Sequence, residues 1–221
     1  MTDLVLLHTS PVHVPVFDAL RDRDHPGAVL RHLVAPELLD RARTAGPESV
    51  IPALRGLLTE AGAGAGAGAG PGAVLVTCST IGAAAESLAP ALGVPVLRVD
   101  RPMAAAAVRA GRRIAVLAAV ESTLAPTREL LAEEAGERPV SIRTHLVAGA
   151  WERFEAGDTA GYLARVAEAA GSVTGADVIV LAQASMAGAV DLVTGPVPVL
   201  SSPAAGLAAG LAAALAMRSA P

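Results

Sequence analysis

The sequence predicts an α/β fold of two similar lobes, each a parallel four-stranded sheet flanked by helices, related by a pseudo-two-fold axis. Three observations predict it: short apolar runs rich in Val, Ile and Leu, helical spacing between those runs, and a segment of the first half that recurs in the second. Strands buried on both faces read as short continuous apolar runs and belong to parallel sheets covered by helices. Such runs stand at 4–7, 28–34, 74–76, 94–99, 114–117, 140–147, 178–181 and 197–200. Helical spacing occupies 14–21, 49–59, 81–92, 104–110, 123–135, 159–173, 186–193 and 204–217. Alternation of this kind is the pattern of layered α/β proteins. Between the second helix and the third strand, 61–72 is an Ala-Gly alternation carrying Pro71, which reads as a flexible loop without chemistry of its own.

The recurrence sets the domain organisation. Val74-Leu75-Val76-Thr77-Cys78-Ser79-Thr80-Ile81-Gly82-Ala83-Ala84 aligns without a gap on Ile179-Val180-Leu181-Ala182-Gln183-Ala184-Ser185-Met186-Ala187-Gly188-Ala189. Downstream, Val94-Pro95-Val96-Leu97 meets Val197-Pro198-Val199-Leu200, and upstream Leu4-Val5-Leu6-Leu7 meets Ile114-Ala115-Val116-Leu117. One strand-and-helix unit is written twice, with a first lobe over 1–100 plus 204–221 and a second over 101–203. Ligands of open parallel sheets bind beyond the carboxyl ends of the strands. Cys78 and Gln183 both stand at such ends, and the expectation is that they face each other across one cleft.

Composition narrows the function classes. A net charge of −4 and only four aromatic residues leave neither a basic surface for a phosphate backbone nor a stacking platform, so no nucleic-acid partner is expected. Apolar residues make up 52% of the chain, yet they are scattered. The best membrane candidate, 204–217, is too short to span a bilayer and holds Gly206 and Gly210. The first residues carry Asp3 and lack a signal-peptide pattern, so a cytoplasmic protein is expected. One cysteine excludes an internal disulfide and a thiolate-rich metal site. No nucleotide-binding or metalloprotease motif appears, so neither a cofactor nor a metal is expected.

Cys78 closes an apolar strand ahead of Ser79-Thr80, hydroxyl residues of the type that cap helices. A thiol at a strand-to-helix turn lies near backbone N–H groups and the positive end of a helix, which favour the thiolate and proton exchange at carbon. His8-Thr9-Ser10-Pro11 ends the first strand, where hydrogen-bond donors suit a ligand carboxylate; Thr9 or Ser10 could equally cap the next helix. In the second lobe Ser122 or Thr123 has the same choice, and Glu121 reads as a solvated charge. Gln183 cannot take up a proton but can hydrogen-bond an oxyanion. Ala184 and Ser185 follow it at the same turn. His145, Trp151, Arg153 and Glu155 read as fold and surface.

These motifs together resemble the aspartate/glutamate/hydantoin racemase superfamily, cofactor-independent enzymes with two similar α/β lobes and a catalytic cysteine from each. Val74 to Thr80 is similar to the first cysteine motif, 8–11 to the substrate-binding first turn, and 122–127 to its second-lobe equivalent. Asp177 to Met186 is similar to the second cysteine motif in its hydantoin racemase form, with Gln183 in place of the cysteine. The resemblance covers nearly the whole chain and implies proton transfer at the carbon next to a carboxylate or carbonyl. The substrate would be an amino acid, hydantoin or related small acid. Cys78 and Gln183 would be the catalytic pair, and His8, Thr9, Ser10, Ser79, Thr80, Ser122, Thr123, Ala184 and Ser185 would bind substrate in a homo-oligomer. A two-base racemase needs an acid–base group on each face of the carbon, and here one face lacks its thiol. Arylmalonate decarboxylase, a relative with one such cysteine, offers the alternative of a lyase with one-sided protonation, although its cysteine is in the second lobe. A ligand-binding homologue without catalysis is the third reading.

Overall fold

The computed structural model describes residues 3–63 and 71–219. The chain divides into two compact units, Met1–Val99 with Pro203–Pro221, and Asp100–Ser202. In the first, strands β1 (Asp3–His8), β2 (Val29–Val34), β3 (Ala73–Val76) and β4 (Val96–Arg98) form a parallel sheet in the order β2-β1-β3-β4. In the second, β5 (Arg113–Ala118), β6 (Ser141–Leu146), β7 (Val178–Leu181) and β8 (Val199–Ser201) repeat it as β6-β5-β7-β8, again all parallel. All eight apolar runs are therefore strands.

Register confirms that the unit is written twice. Leu7 pairs with Val76 and Leu117 with Leu181, while Val74 pairs with Val96 and Ile179 with Val199. The residues aligned in sequence thus occupy the same rungs. Even the irregular bond entering each last strand is kept: Val74 donates to the Pro95 carbonyl at 2.8 Å and Ile179 to the Pro198 carbonyl at 2.9 Å.

Among the described residues ten helices flank the sheets: α1 (His13–Asp24), α2 (Pro36–Ala45), α3 (Ile51–Ala63), α4 (Ser79–Glu86), α5 (Ala89–Leu92), α6 (Arg101–Ala110), α7 (Leu124–Ala135), α8 (Ala150–Glu155), α9 (Thr159–Gly171) and α10 (Pro203–Ser219). No described helix is long and apolar enough to cross a membrane. Two expectations are corrected. The Ala-Gly stretch is helical as far as Ala63, and 64–70 lie outside the described residues. The helix expected over 186–193 is a run of 3-10 turns from Ala184 to Leu192, where Ser185, Gly188 and Asp191 are poor α-helix formers. Helix α2 was not read from the sequence, although Pro36 at its start and buried Leu38 and Ala42 at i, i+4 mark it.

Side-chain alternation gives the two central strands of the first lobe, β1 and β3, two buried faces. Val5, Leu7, Val74 and Val76 pack with Leu54, Ile81 and Leu88 on one face, and Leu4, Leu6 and Leu75 pack with Phe17, Leu207 and Leu211 on the other. Helix α10 sits close on the second face because Gly206 and Gly210 are both buried against it. A Cβ on Gly206 would stand 2.5 Å from the Val99 carbonyl oxygen, a backbone atom that cannot yield without moving β4's end. Gly206→Val is expected to lower stability by about 1–3 kcal/mol through overpacking. A urea titration should show an earlier midpoint with an unchanged slope; an unchanged midpoint refutes the close-packing account.

Candidate active site

Cys78 follows β3 and occupies the N-cap position of α4 in extended conformation. Ser79 and Thr80 lie inside the helix rather than capping it, so the expected hydroxyl cap is absent. Burial pushes the Cys78 thiol above its ordinary value of 9.0; the Thr9 side chain, the Ile81 and Thr80 backbone and the Thr80 side chain oppose that shift without reversing it. The turn's backbone N–H groups do favour the thiolate, but they are outweighed. Desolvation outweighs four favourable hydrogen-bond partners. Cys78 is half-buried, and at neutral pH it rests as the thiol. Thr9, at the end of β1, is buried and touches it, while Ser10 is part-exposed. Ser79 and Thr80 are buried at 8% and 7% exposure.

Caps fail in the same way at the other two turns. The N-cap of α1 is Val12 and that of α7 is Thr123, neither with a side-chain cap bond. Backbone carbonyls close these turns instead, Val14 N–H donating to Pro11 at 3.1 Å and Thr123 N–H to Val120 at 3.1 Å. The hydroxyls are left for other work: Ser122 Oγ and Thr127 Oγ1 are buried and make no hydrogen bond.

His8 is fully buried, on the sheet face opposite the one Cys78 packs against, with its ring against Phe17 at 5.6 Å. Its Nδ1 lies 2.9 Å from Thr77 Oγ1 and its Nε2 2.8 Å from His32 Nδ1. His32 Nε2 lies 3.3 Å from Asp18 Oδ1. The Asp18 carboxylate only accepts, so one arrangement satisfies all three contacts with neutral rings: Thr77 O–H to His8, His8 Nε2–H to His32, His32 Nε2–H to Asp18. The 3.2 Å approach of Thr77 Oγ1 to the Leu7 carbonyl is then the lesser branch of its single hydrogen. Both His8 nitrogens are spent inside the fold and none is left for a substrate. Sequence reasoning missed this chain because it depends on β1–β2 register, which places His32 diagonally beside His8. It also missed His13, the first residue of α1, which is buried with both ring nitrogens unpartnered.

In the second lobe Gln183 stands at the position equivalent to Cys78. Its Oε1 accepts from Ala119 N–H at 2.6 Å and from Val120 N–H at 3.2 Å. Ala119 is the counterpart of Thr9 by the shared register, so the two turns keep the same contact with different chemistry. Ala184 is buried, and Ser185 Oγ is hydrogen-bonded to the Tyr162 hydroxyl at 2.8 Å. His145 is exposed on β6, Trp151 stacks on Phe154 at 5.0 Å, and Arg153 pairs with Asp158 at 2.6 Å. Among the described residues no group of three His, Cys, Asp or Glu side chains could hold a metal ion.

The fold matches solved structures. Aspartate racemase from Picrophilus torridus aligns at a TM-score of 0.71 and 16% identity, covering 97% of this chain and 94% of that one. Allantoin racemase from Klebsiella pneumoniae aligns at 0.65 and 17%, covering 99% and 89%. A liganded double mutant of arylmalonate decarboxylase, with a glycine changed to cysteine and a later cysteine changed to serine, aligns at 0.59 and 22%, covering 97% and 93%. At these identities the likeness establishes the fold alone. No curated protein matches the sequence. Residues 15–210 match the family described as Asp/Glu/hydantoin racemase, which is most of the chain. The protein belongs to the Asp/Glu/hydantoin racemase family.

Proposed function

We propose that this protein is a cofactor-independent isomerase-type enzyme that moves a proton on the carbon next to a carboxylate or carbonyl of a small acid, with Cys78 as the proton carrier. The observation that carries this reading is the half-buried Cys78 thiol at a strand end, surrounded by the Thr9 and Thr80 hydroxyls and the N–H groups that open α4. Those donors suit the oxygens of a carboxylate whose α-carbon meets the sulfur. Thr9, Ser10, Ser79 and Thr80 are the substrate-binding group of the first lobe, and Ser122 and Thr123 that of the second.

One observation favours a second reading, decarboxylation in the manner of arylmalonate decarboxylase. A resting thiol is a donor, so Cys78 is equipped to protonate one face of an enediolate left by loss of carbon dioxide. The double mutant named above gains a cysteine early in its chain and loses one later, the same order as Cys78 and Gln183 here. Incubation in deuterium oxide separates the readings. Exchange of the α-hydrogen of a 2-amino or 5-substituted hydantoin substrate without carbon dioxide release supports the first. Carbon dioxide release from a 2-substituted malonate, with one enantiomer of deuterated product, supports the second. Neither activity across both panels removes the catalytic assignment.

A further inference from the structure

The hydrogen bonds of Gln183 fix which way its carboxamide faces. Ala119 and Val120 present backbone N–H groups, which only donate, so the atom 2.6 and 3.2 Å from them is the carbonyl oxygen. A flipped carboxamide would set NH2 against N–H. The amide nitrogen therefore occupies the other arm of the planar group, with two hydrogens that can only be donated. Ser122 Oγ in this turn is buried without a partner, and from Ala118 to Thr123 the only charged residue is Glu121, which is exposed. A buried hydroxyl left without a partner is destabilising, and a ligand that pairs it removes that penalty.

Resting on the function proposed above, we propose that Gln183 is the specificity-determining residue of the second lobe: anchored through its carbonyl, it offers its N–H2 to an acceptor oxygen of the substrate. It selects a carboxylate or carbonyl there and rejects an ammonium group.

Gln183→Glu tests the polarity while keeping the anchor, because a carboxylate oxygen accepts the same two N–H groups. The far atom then becomes a negatively charged acceptor. Calorimetric titration uses malonate as the acceptor-only probe and 1,3-diaminopropane as the donor-only probe. The wild-type chain should bind malonate saturably and the diamine not at all. Gln183→Glu should bind malonate at least ten-fold more weakly, gain measurable diamine binding, and melt within a few degrees of wild type. Gln183→Met, which loses anchor and donor together, should lose malonate without gaining the diamine. Equal malonate affinity in wild type and Gln183→Glu, or no saturable malonate binding by wild type, overturns the inference. Binding needs no turnover, so a chain that passes this test yet exchanges no α-hydrogen keeps the inference and loses the catalytic reading.

Discussion

Replacing Cys78 with serine is expected to lower turnover by about 10²–10⁴-fold, the range of a single general acid–base group. The serine hydroxyl fits the same space between Thr9 and the start of α4, so the unfolding midpoint should stay near that of wild type. The pH profile of the wild-type enzyme carries more information than the loss itself. Burial holds the thiol above its ordinary value of 9.0. If the rate-limiting step is abstraction of an α-proton, the active species is the thiolate, and the rate should climb nearly ten-fold per pH unit through neutral pH and beyond 9. If it is protonation of an enediolate, the active species is the thiol, and the rate should be level through neutral pH and decline only above that raised value. Stopped-flow or coupled-assay rates from pH 6.5 to 10 read the difference. A Cys78→Ser variant with wild-type turnover removes the thiol from the chemistry.

The strands and the two-lobe repeat were legible because each depends on local sequence. A parallel strand covered on both faces must be apolar along its whole length, and Leu4–Leu7, Val74–Val76 and Val178–Leu181 are. The repeat also places Cys78 and Gln183 at equivalent positions just beyond their strands. What sequence did not reveal is how polar groups are spent. Thr9, Ser122 and Thr123 look like caps because capping is the common fate of such residues at helix starts. The chain closes those turns with carbonyls, and no local pattern separates the two outcomes. His8 stands in the turn that resembles the family's substrate-binding one, and local sequence does not show that its nitrogens are already spent. Its bonds to Thr77 and His32 join residues 69 and 24 positions away, contacts that only the sheet register creates. At Cys78 the helix-terminal donors are visible in sequence, and the desolvation that outweighs them is not.

The first lobe is also expected to lose stability steeply between pH 6.5 and about 4. His8 is lowered from 6.5 to about 3 by burial first and then by the charges of His13 and His32, and His13 is lowered to about 4 by burial. Both are neutral in the folded protein where the unfolded chain begins to bind protons. Their folded values lie below the unfolded one, so stability is full above pH 6.5 and falls as the pH drops toward the folded values. Each histidine contributes a slope of about 1.4 kcal/mol per pH unit, so His13 alone withdraws about 3 kcal/mol over its window. That is a large share of the 5–15 kcal/mol typical of a domain. The ion-paired carboxylates do not compete there: Asp24, Asp158 and Asp177 are all held below 3.8 by arginine or backbone partners, so their stabilisation persists until the solution is more acid. His13→Leu separates the contributions. It fills the same buried space and removes two unpartnered nitrogens, so stability at pH 7 should be equal or higher. Urea midpoints at pH 7, 5.5 and 4.5 should fall less steeply in the variant, by about 1.4 kcal/mol per unit. Parallel pH dependence in the two proteins would show that His13 titrates normally in the folded state, and with it the burial that defines this corner of α1 would have to be given up.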